Sequence, residues 1–271
     1  MGTHNKWAEV IEDFGNQWTL FTHNRGYYGS RSALDSLIKP LLNAQSIRNK
    51  RIADVGAGTG RYTRLFHQAG AGAILAMEPS TAFEALKRNT AGLGRIDYLR
   101  EPAEKIPLLD FDIIFCIGVL QFIPDPRPAL IAMGRALRPR GRLFLWVYGK
   151  ENNGLYLMFA RLLRLFSSRL PAQSLSYLSH WLLPAADLYA FGCRFMNLPL
   201  SDYLINYFSK LDRYSRKLVV YDQLNPRIAK YYRGAELRDL LKTCGFANIR
   251  IHHRLGYSWS ALASYKGGDQ P

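Results

Sequence analysis

The chain has 271 residues, 48% of them hydrophobic, and a formal net charge of +15 from 36 lysines and arginines against 21 acidic residues. One large domain with an insertion fits that length better than two independent domains, and the basic excess points to an acidic partner: nucleic acid, an anionic membrane surface or a phosphorylated substrate. Three cysteines, Cys116, Cys193 and Cys244, exclude a disulfide framework and a zinc ribbon, and the six histidines add no ligand spacing, so a reducing, cytoplasmic setting without a bound metal is expected.

Residues 1–6 lack the apolar core of a signal peptide, and Lys6 stands where an acylation signal needs Ser or Thr. Residues 1–48 are expected to form a helical segment. Its aromatics Trp7, Phe14, Trp18, Phe21, Tyr27 and Tyr28 suit packing more than binding, and Pro40 delimits a helix that starts near Leu34. Residues 51–55 read as a short buried strand, followed by Gly56-Ala57-Gly58-Thr59-Gly60 and a helix to about Gln68. A second strand over 73–77 ends at Glu78, and Ser80 can cap the helix after it. Residues 95–99 make a third strand and 111–117 a fourth, apolar on both faces as in a parallel sheet covered on each side.

A helix over 126–137, a turn at 139–141 and a fifth strand over 142–148 follow, which closes an α/β unit over 49–150. Residues 151–220 turn helical and read as an insertion that caps the sheet. Within it, 170–186 is broken by Pro171 and Pro184 and holds Gln173, three serines and His180, so it does not read as a membrane span. Residues 221–271 complete the sheet with a helix over 235–244 and strands near 248–253 and 257–265. Strands alternating with helices predict an α/β fold with a doubly wound sheet.

A strand, a glycine loop and a helix in that order bring the backbone close to a ligand at a helix N-terminus. In the nicotinamide fingerprint the third glycine would fall at Arg61, so that pattern fails. Asp54 argues the same way, because a carboxylate repels a pyrophosphate and attracts an ammonium group. The ligand is expected to carry an amine.

The segment Asp54-Val55-Gly56-Ala57-Gly58-Thr59-Gly60-Arg61 resembles the first motif of class I S-adenosylmethionine-dependent methyltransferases. The resemblance extends over Glu78, over residues 111–120, over Leu137-Arg138-Pro139-Arg140-Gly141-Arg142-Leu143 and into the late segments at 221–226, Glu236-Leu237 and Cys244-Gly245-Phe246. It implies a seven-stranded, mostly parallel sheet with an antiparallel last strand, and S-adenosylmethionine lying across its C-terminal edge. By motif position Gly56, Ala57, Gly58 and Gly60 approach the cofactor's amino-acid half with Asp54 near its ammonium. Glu78, followed by Pro79, takes the ribose hydroxyls, and Ala103, Ile117 and Gly118 lie near the rest. Pro102 and Ala103 stand where many relatives have an acid for the adenine amine, which Glu101 could replace. Gln121-Phe122 stand where many have two histidines, so no base comes from there.

The resemblance therefore implies an S-adenosylmethionine-dependent methyltransferase acting on oxygen or nitrogen of a small-molecule or lipid-linked acceptor. A hydroxyl acceptor needs a base in reach, and the candidates are Tyr27 or Tyr28, Tyr148, Tyr232 and His253. His252 and His253 face opposite sides of a strand and cannot share a metal. Some likeness of the segment from Tyr231-Tyr232 to Glu236-Leu237 to transfer-RNA wobble-uridine methyltransferases keeps RNA as the second reading, and a non-enzymatic cofactor-binding scaffold as the third. Leu155, Met158, Phe159, Leu162 and Phe166 share one helical face edged by Arg161, Arg164 and Arg169. That face either packs on the domain or rests on an anionic membrane, which would make the protein peripheral there.

Overall fold

The structure, a computed structural model, describes residues 3–226 and 229–266, with side chains except at 3–7 and 155. Seven strands form one sheet: β1 (Arg51–Val55), β2 (Ala73–Met77), β3 (Ile96–Leu99), β4 (Phe111–Ile117), β5 (Leu137–Tyr148), β6 (Phe246–Arg254) and β7 (Ser258–Tyr265). Their order is β3-β2-β1-β4-β5-β7-β6, with β7 antiparallel to both of its neighbours. This is the doubly wound, mostly parallel sheet expected from the sequence.

Strand periodicity decides which residues meet which helices. Ala53 and Val55 face a core built with α5 (Arg127–Ala136) and α10 (Gly234–Thr243), through Leu130, Met133, Leu237 and Leu241. Ile52 faces the other side with Phe115 and Phe144, against α2 (Arg31–Ile38) and α3 (Arg61–Gln68). Helix α2 begins at Ser30, whose hydroxyl accepts from the Ala33 N–H at 3.2 Å, and ends before Pro40. Helix α4 (Ala82–Asn89) follows β2 and lays Leu86 beneath the glycine loop.

Strand β5 starts five residues before the expected 142. Phe111 pairs with Leu137 and Ile113 with Arg142, so 138–141 bulge outward, where Asp112 forms an ion pair with Arg138.

A helical layer covers the C-terminal edge of the sheet. It comprises α1 (Thr3–Leu20), α6 (Gly154–Ser167), α7 (Ala172–Gly192), α8 (Ser201–Asn206) and α9 (Arg213–Leu224). It has its own core, in which Leu175, Leu183 and Leu204 meet Leu218 and Tyr221. Helix α9 is capped by Asp212, which accepts from Ser215 N–H at 2.7 Å, and it continues past the expected boundary at 220. Pro184 does not end a helix but lies inside α7. It is exposed together with His180, so solvent can satisfy the carbonyl four residues back.

Of the two alternatives for the apolar face of α6, packing on the domain is not what the structure shows. Met158, Phe159, Leu162 and Phe166 face water, Phe166 at 77% exposure, while Arg164 and Ser167 turn inward; the Leu155 side chain lies outside the described residues. Arg164 Nε donates to the Gln223 carbonyl at 2.7 Å and Ser167 Oγ to the Leu224 carbonyl at 2.9 Å. The last carbonyls of α9 lack partners within their own helix, and these polar groups supply them.

Candidate active site

The sheet order reverses between β1 and β4, and the crevice at that point is where an open α/β sheet binds its ligand. Gly56, with φ +72°, turns the chain out of β1, and a Cβ there would lie 2.3 Å from Val119 Cγ2. Four of the loop's five N–H groups are already used. Gly56 and Ala57 donate to the Met77 carbonyl at 2.9 and 2.8 Å, Gly58 to Glu78 Oε2 at 2.8 Å and Gly60 to the Ala57 carbonyl at 2.9 Å. Such a loop offers close approach without a nest of free donors, which suits a ligand lacking phosphates.

Glu78 is buried at the cavity edge. Its Oε1 accepts from Ser80 N at 3.0 Å and Ser80 Oγ at 2.6 Å, so Ser80 ties the carboxylate to the start of α4. Burial raises its pKa, and the bonds from Ser80 and Gly58 oppose that rise. Asp54 lies on the α3 side of β1, behind the loop, where Thr63 Oγ1 donates to its Oδ2 at 2.6 Å. Burial pushes Asp54 up to about 7 against the Thr63 bonds, with the Glu78 charge adding to the rise. Neither carboxylate has a cationic side chain against it among the described residues.

Above the loop lies a cavity of about 450 Å³. Gly56, Ala57, Gly58, Glu78, Pro79, Ile117 and Gly118 form its floor, as expected by motif position. Three residues of that set lie elsewhere. Asp54 is behind the loop because alternate residues of a strand face opposite sides. Gly60 packs toward Leu86, and Ala103 is buried in the sheet core beside the exposed Glu101.

Of the proposed bases, Tyr28 and Tyr148 line the cavity. Tyr27 packs edge-on against Tyr207 away from it, Tyr232 is wholly buried in the sheet core, and His253 stacks on Trp259 along the last two strands. The missed residue is Asp222 of α9. Tyr148 Oη donates to its Oδ2 at 2.6 Å, and Gln17 Nε2 from α1 donates to its Oδ1 at 3.0 Å. Burial raises the Asp222 pKa, opposed by the Tyr148 and Gln17 bonds, and burial likewise lifts the Tyr148 hydroxyl. The remaining wall is mostly apolar and aromatic, with Phe14 and Trp18 of α1 and Tyr203 and Tyr207 of the cap. Three of the aromatics read as packing residues, Phe14, Trp18 and Tyr28, thus also line the cavity.

A family model described as a methyltransferase domain matches residues 53–145, and the sheet carries the antiparallel seventh strand of that fold. Residues 53–145 are a methyltransferase domain on the class I S-adenosylmethionine-dependent fold. Among solved methyltransferase-like structures, the complex of DhpI with S-adenosylhomocysteine is similar at TM-score 0.59 and 15% identity, over 98% of this chain and 99% of that one. The 1,6-didemethyltoxoflavin-N1-methyltransferase of Burkholderia thailandensis is similar at TM-score 0.56 and 16% identity, over 98% and 92%. At these identities the likeness concerns the fold. Among curated relatives, the tRNA U34 carboxymethyltransferase of Nautilia profundicola is 33% identical over 41% of this chain and 37% of its own. The mitochondrial ubiquinone biosynthesis O-methyltransferase of Schizosaccharomyces pombe is 28% identical over 41% and 43%. The chain thus matches less than half the length of these relatives.

S-adenosylmethionine is the cofactor of this family. The site fits it: Glu78 at the cavity edge can accept from ribose hydroxyls, and neither it nor Asp54 behind the loop has a cation against it among the described residues, which suits a ligand bearing an ammonium and a sulfonium. The Asp54 shift has a readable sign. A carboxyl whose folded pKa is raised to about 7 adds stability that is present below its unfolded value and lost as pH rises through about 7. The ligand-free methyltransferase should therefore lose melting temperature across that window, and Asp54→Asn should flatten the loss. A ligand cation favours the ionised form, so cofactor affinity should rise over the same window in calorimetry, and an affinity independent of pH would contradict this.

Among the described residues, no group of three His, Cys, Asp or Glu side chains could hold a metal. Methyl transfer should accordingly survive EDTA. Loss that a single added metal restores would show otherwise.

Proposed function

We propose that the protein transfers a methyl group to oxygen or nitrogen of a small-molecule or lipid-linked acceptor held in the roofed cavity. The observation that carries this reading is the Tyr148–Asp222 pair, a polar dyad in a largely apolar wall of the cavity whose floor is the glycine loop. S-adenosylmethionine, when bound, supplies an activated methyl carbon. The protein's tasks are then to hold the acceptor in line, exclude water and accept a proton. Helix α1 and the cap helices roof the site. Asp222, with its pKa raised, is a stronger base than an ordinary carboxylate and accepts the acceptor's proton at a carboxylate oxygen, while Tyr148 and Gln17 fix its orientation. A panel of phenols, alcohols, amines and carbon acids incubated with labelled S-adenosylmethionine tests this. Turnover with hydroxyl or amine members, and none with carbon acids alone, is the expected result.

The lipid-linked form is supported by the outer faces of α6 and α7. Met158, Phe159, Leu162, Phe166, Tyr177 and Trp181 are all more than half exposed, with Trp181 at 78%. Arg161, Arg169 and Arg194 are exposed in the same segment, and residues 152–186 contain no carboxylate. An apolar surface with aromatic and basic members suits the interface of an anionic bilayer. No helix among the described residues is long and apolar enough to cross one. The protein should co-sediment with vesicles containing phosphatidylglycerol, lose binding as salt rises, and lose at least tenfold in affinity when Phe166 and Trp181 become serine. Equal, weak sedimentation of wild type and variant would leave only the cap over the cavity.

The tRNA reading is supported by the likeness of the segment from Tyr231-Tyr232 to Glu236-Leu237 and by the 33% identity to a tRNA U34 carboxymethyltransferase over part of the chain. Acting on RNA would require a nucleotide to pass beneath α1 and the cap helices.

A further inference from the structure

Among the described residues, the fold buries two arginines, Arg61 and Arg254, at 9% and 3% exposure, and both line the cavity. Arg61 leaves the glycine loop at the first turn of α3. Its Nε donates to the Tyr28 carbonyl at 2.6 Å and its Nη2 to Tyr207 Oη at 3.2 Å, with the guanidinium 3.6 Å above the Tyr28 ring. Its Nη1 has no hydrogen-bond partner among the described residues. Arg254 ends β6. Its Nε and Nη2 donate to the carbonyl and hydroxyl of Ser36, both at 2.9 Å, and its Nη1 to Tyr257 Oη at 3.2 Å. The same Tyr207 ring lies 5.3 Å from its guanidinium.

Every one of these partners is neutral. Burial pushes the hydroxyls of Tyr28 and Tyr257 up to about 12, so neither becomes a counter-ion near neutral pH. The carboxylates that line the cavity are held elsewhere, Glu78 by Gly58 and Ser80, and Asp222 by Tyr148 and Gln17. Buried charges are ordinarily paired, because removing a guanidinium from water is costly unless an opposite charge replaces the lost hydration. Two of them against one tyrosine repel each other as well. The cofactor does not correct this, since its carboxylate is balanced by its own ammonium and the sulfonium adds a further positive charge.

We propose that Arg61 and Arg254 form the seat for an anionic group of the methyl acceptor, a carboxylate or a phosphate. Arginine suits either group because its planar fork matches their oxygens. This inference rests on the cavity being the acceptor site. Its test reads binding without turnover, so its failure and a failure of methyl transfer are distinguishable.

The test uses calorimetry with phenyl phosphate and benzyl alcohol as probes, in the presence of saturating S-adenosylhomocysteine. Wild type should bind phenyl phosphate at least tenfold more tightly than benzyl alcohol at equal ionic strength. Arg254→Met and Arg61→Met should each remove at least tenfold of the phosphate affinity, leaving that for benzyl alcohol within about twofold. If instead the variants lose S-adenosylhomocysteine while keeping methylthioadenosine, which lacks the carboxylate, the arginines serve the cofactor and the proposal is overturned. Unchanged affinity for every probe overturns it too. Where a variant does not fold, the wild type still decides. Its melting temperature should rise with phenyl phosphate and not with benzyl alcohol, and an equal response contradicts the seat.

Discussion

Replacing Asp222 by asparagine should lower kcat by about 10²–10³-fold, the usual range for removing a positioned general base, while leaving cofactor affinity within about twofold. The side chain keeps its volume and one carbonyl oxygen for the Tyr148 hydroxyl, so the loss reports the base and not a collapsed wall. Tyr148→Phe should cost less, about tenfold, because the carboxylate remains and only one of its two side-chain donors is lost. The pH profile separates a base from a spacer. With the Asp222 pKa raised by burial, wild-type kcat should fall toward acid from a higher pH than an ordinary carboxylate would give. The asparagine variant should lack that limb. A variant with full kcat would remove Asp222 from the chemistry and favour acceptors that transfer without a base.

Glu78→Ala should weaken S-adenosylhomocysteine by about 1–3 kcal/mol, the scale of a lost charged hydrogen bond, or about 5- to 150-fold at 25 °C. The effect has two parts. The carboxylate no longer accepts from the ribose, and the Gly58 N–H at 2.8 Å loses the oxygen that fixes the loop. Glu78→Gln should recover part of the affinity, since its amide oxygen can still accept from Gly58. Calorimetry reads both, and the melting temperature shows whether each variant is folded. Binding of NAD more tightly than S-adenosylmethionine by the wild type would contradict the reading of the loop.

Much of this was legible in the sequence because local rules fix it. A buried apolar strand, a loop of alternating glycines and an acid after the second strand are short-range patterns, and the structure shows Gly56, Gly58 and Glu78 around one cavity. What the sequence hid was set by long-range packing. Asp222 stands in an ordinary helix, and only the contacts of α9 with β5 and α1 bring it to Tyr148 and Gln17. Arg61 looks like a solvated first-turn residue until Tyr28 and Tyr207 close over it. The stripe on α6 shows the limit of periodicity most directly. It identifies an apolar face correctly and cannot say which side packs, because the carbonyls of Gln223 and Leu224 that draw Arg164 and Ser167 inward lie nearly sixty residues away.

The destination of the methyl group decides the function, and one partition measures it. Labelled S-adenosylmethionine is incubated with the protein and an extract that contains small metabolites, lipids and total tRNA, and the products are separated into an organic phase, an aqueous small-molecule pool and precipitated RNA. Label is predicted in the organic or small-molecule pool, abolished by Glu78→Ala and strongly reduced by Asp222→Asn. Label recovered in the RNA, with none in the other two, would contradict it.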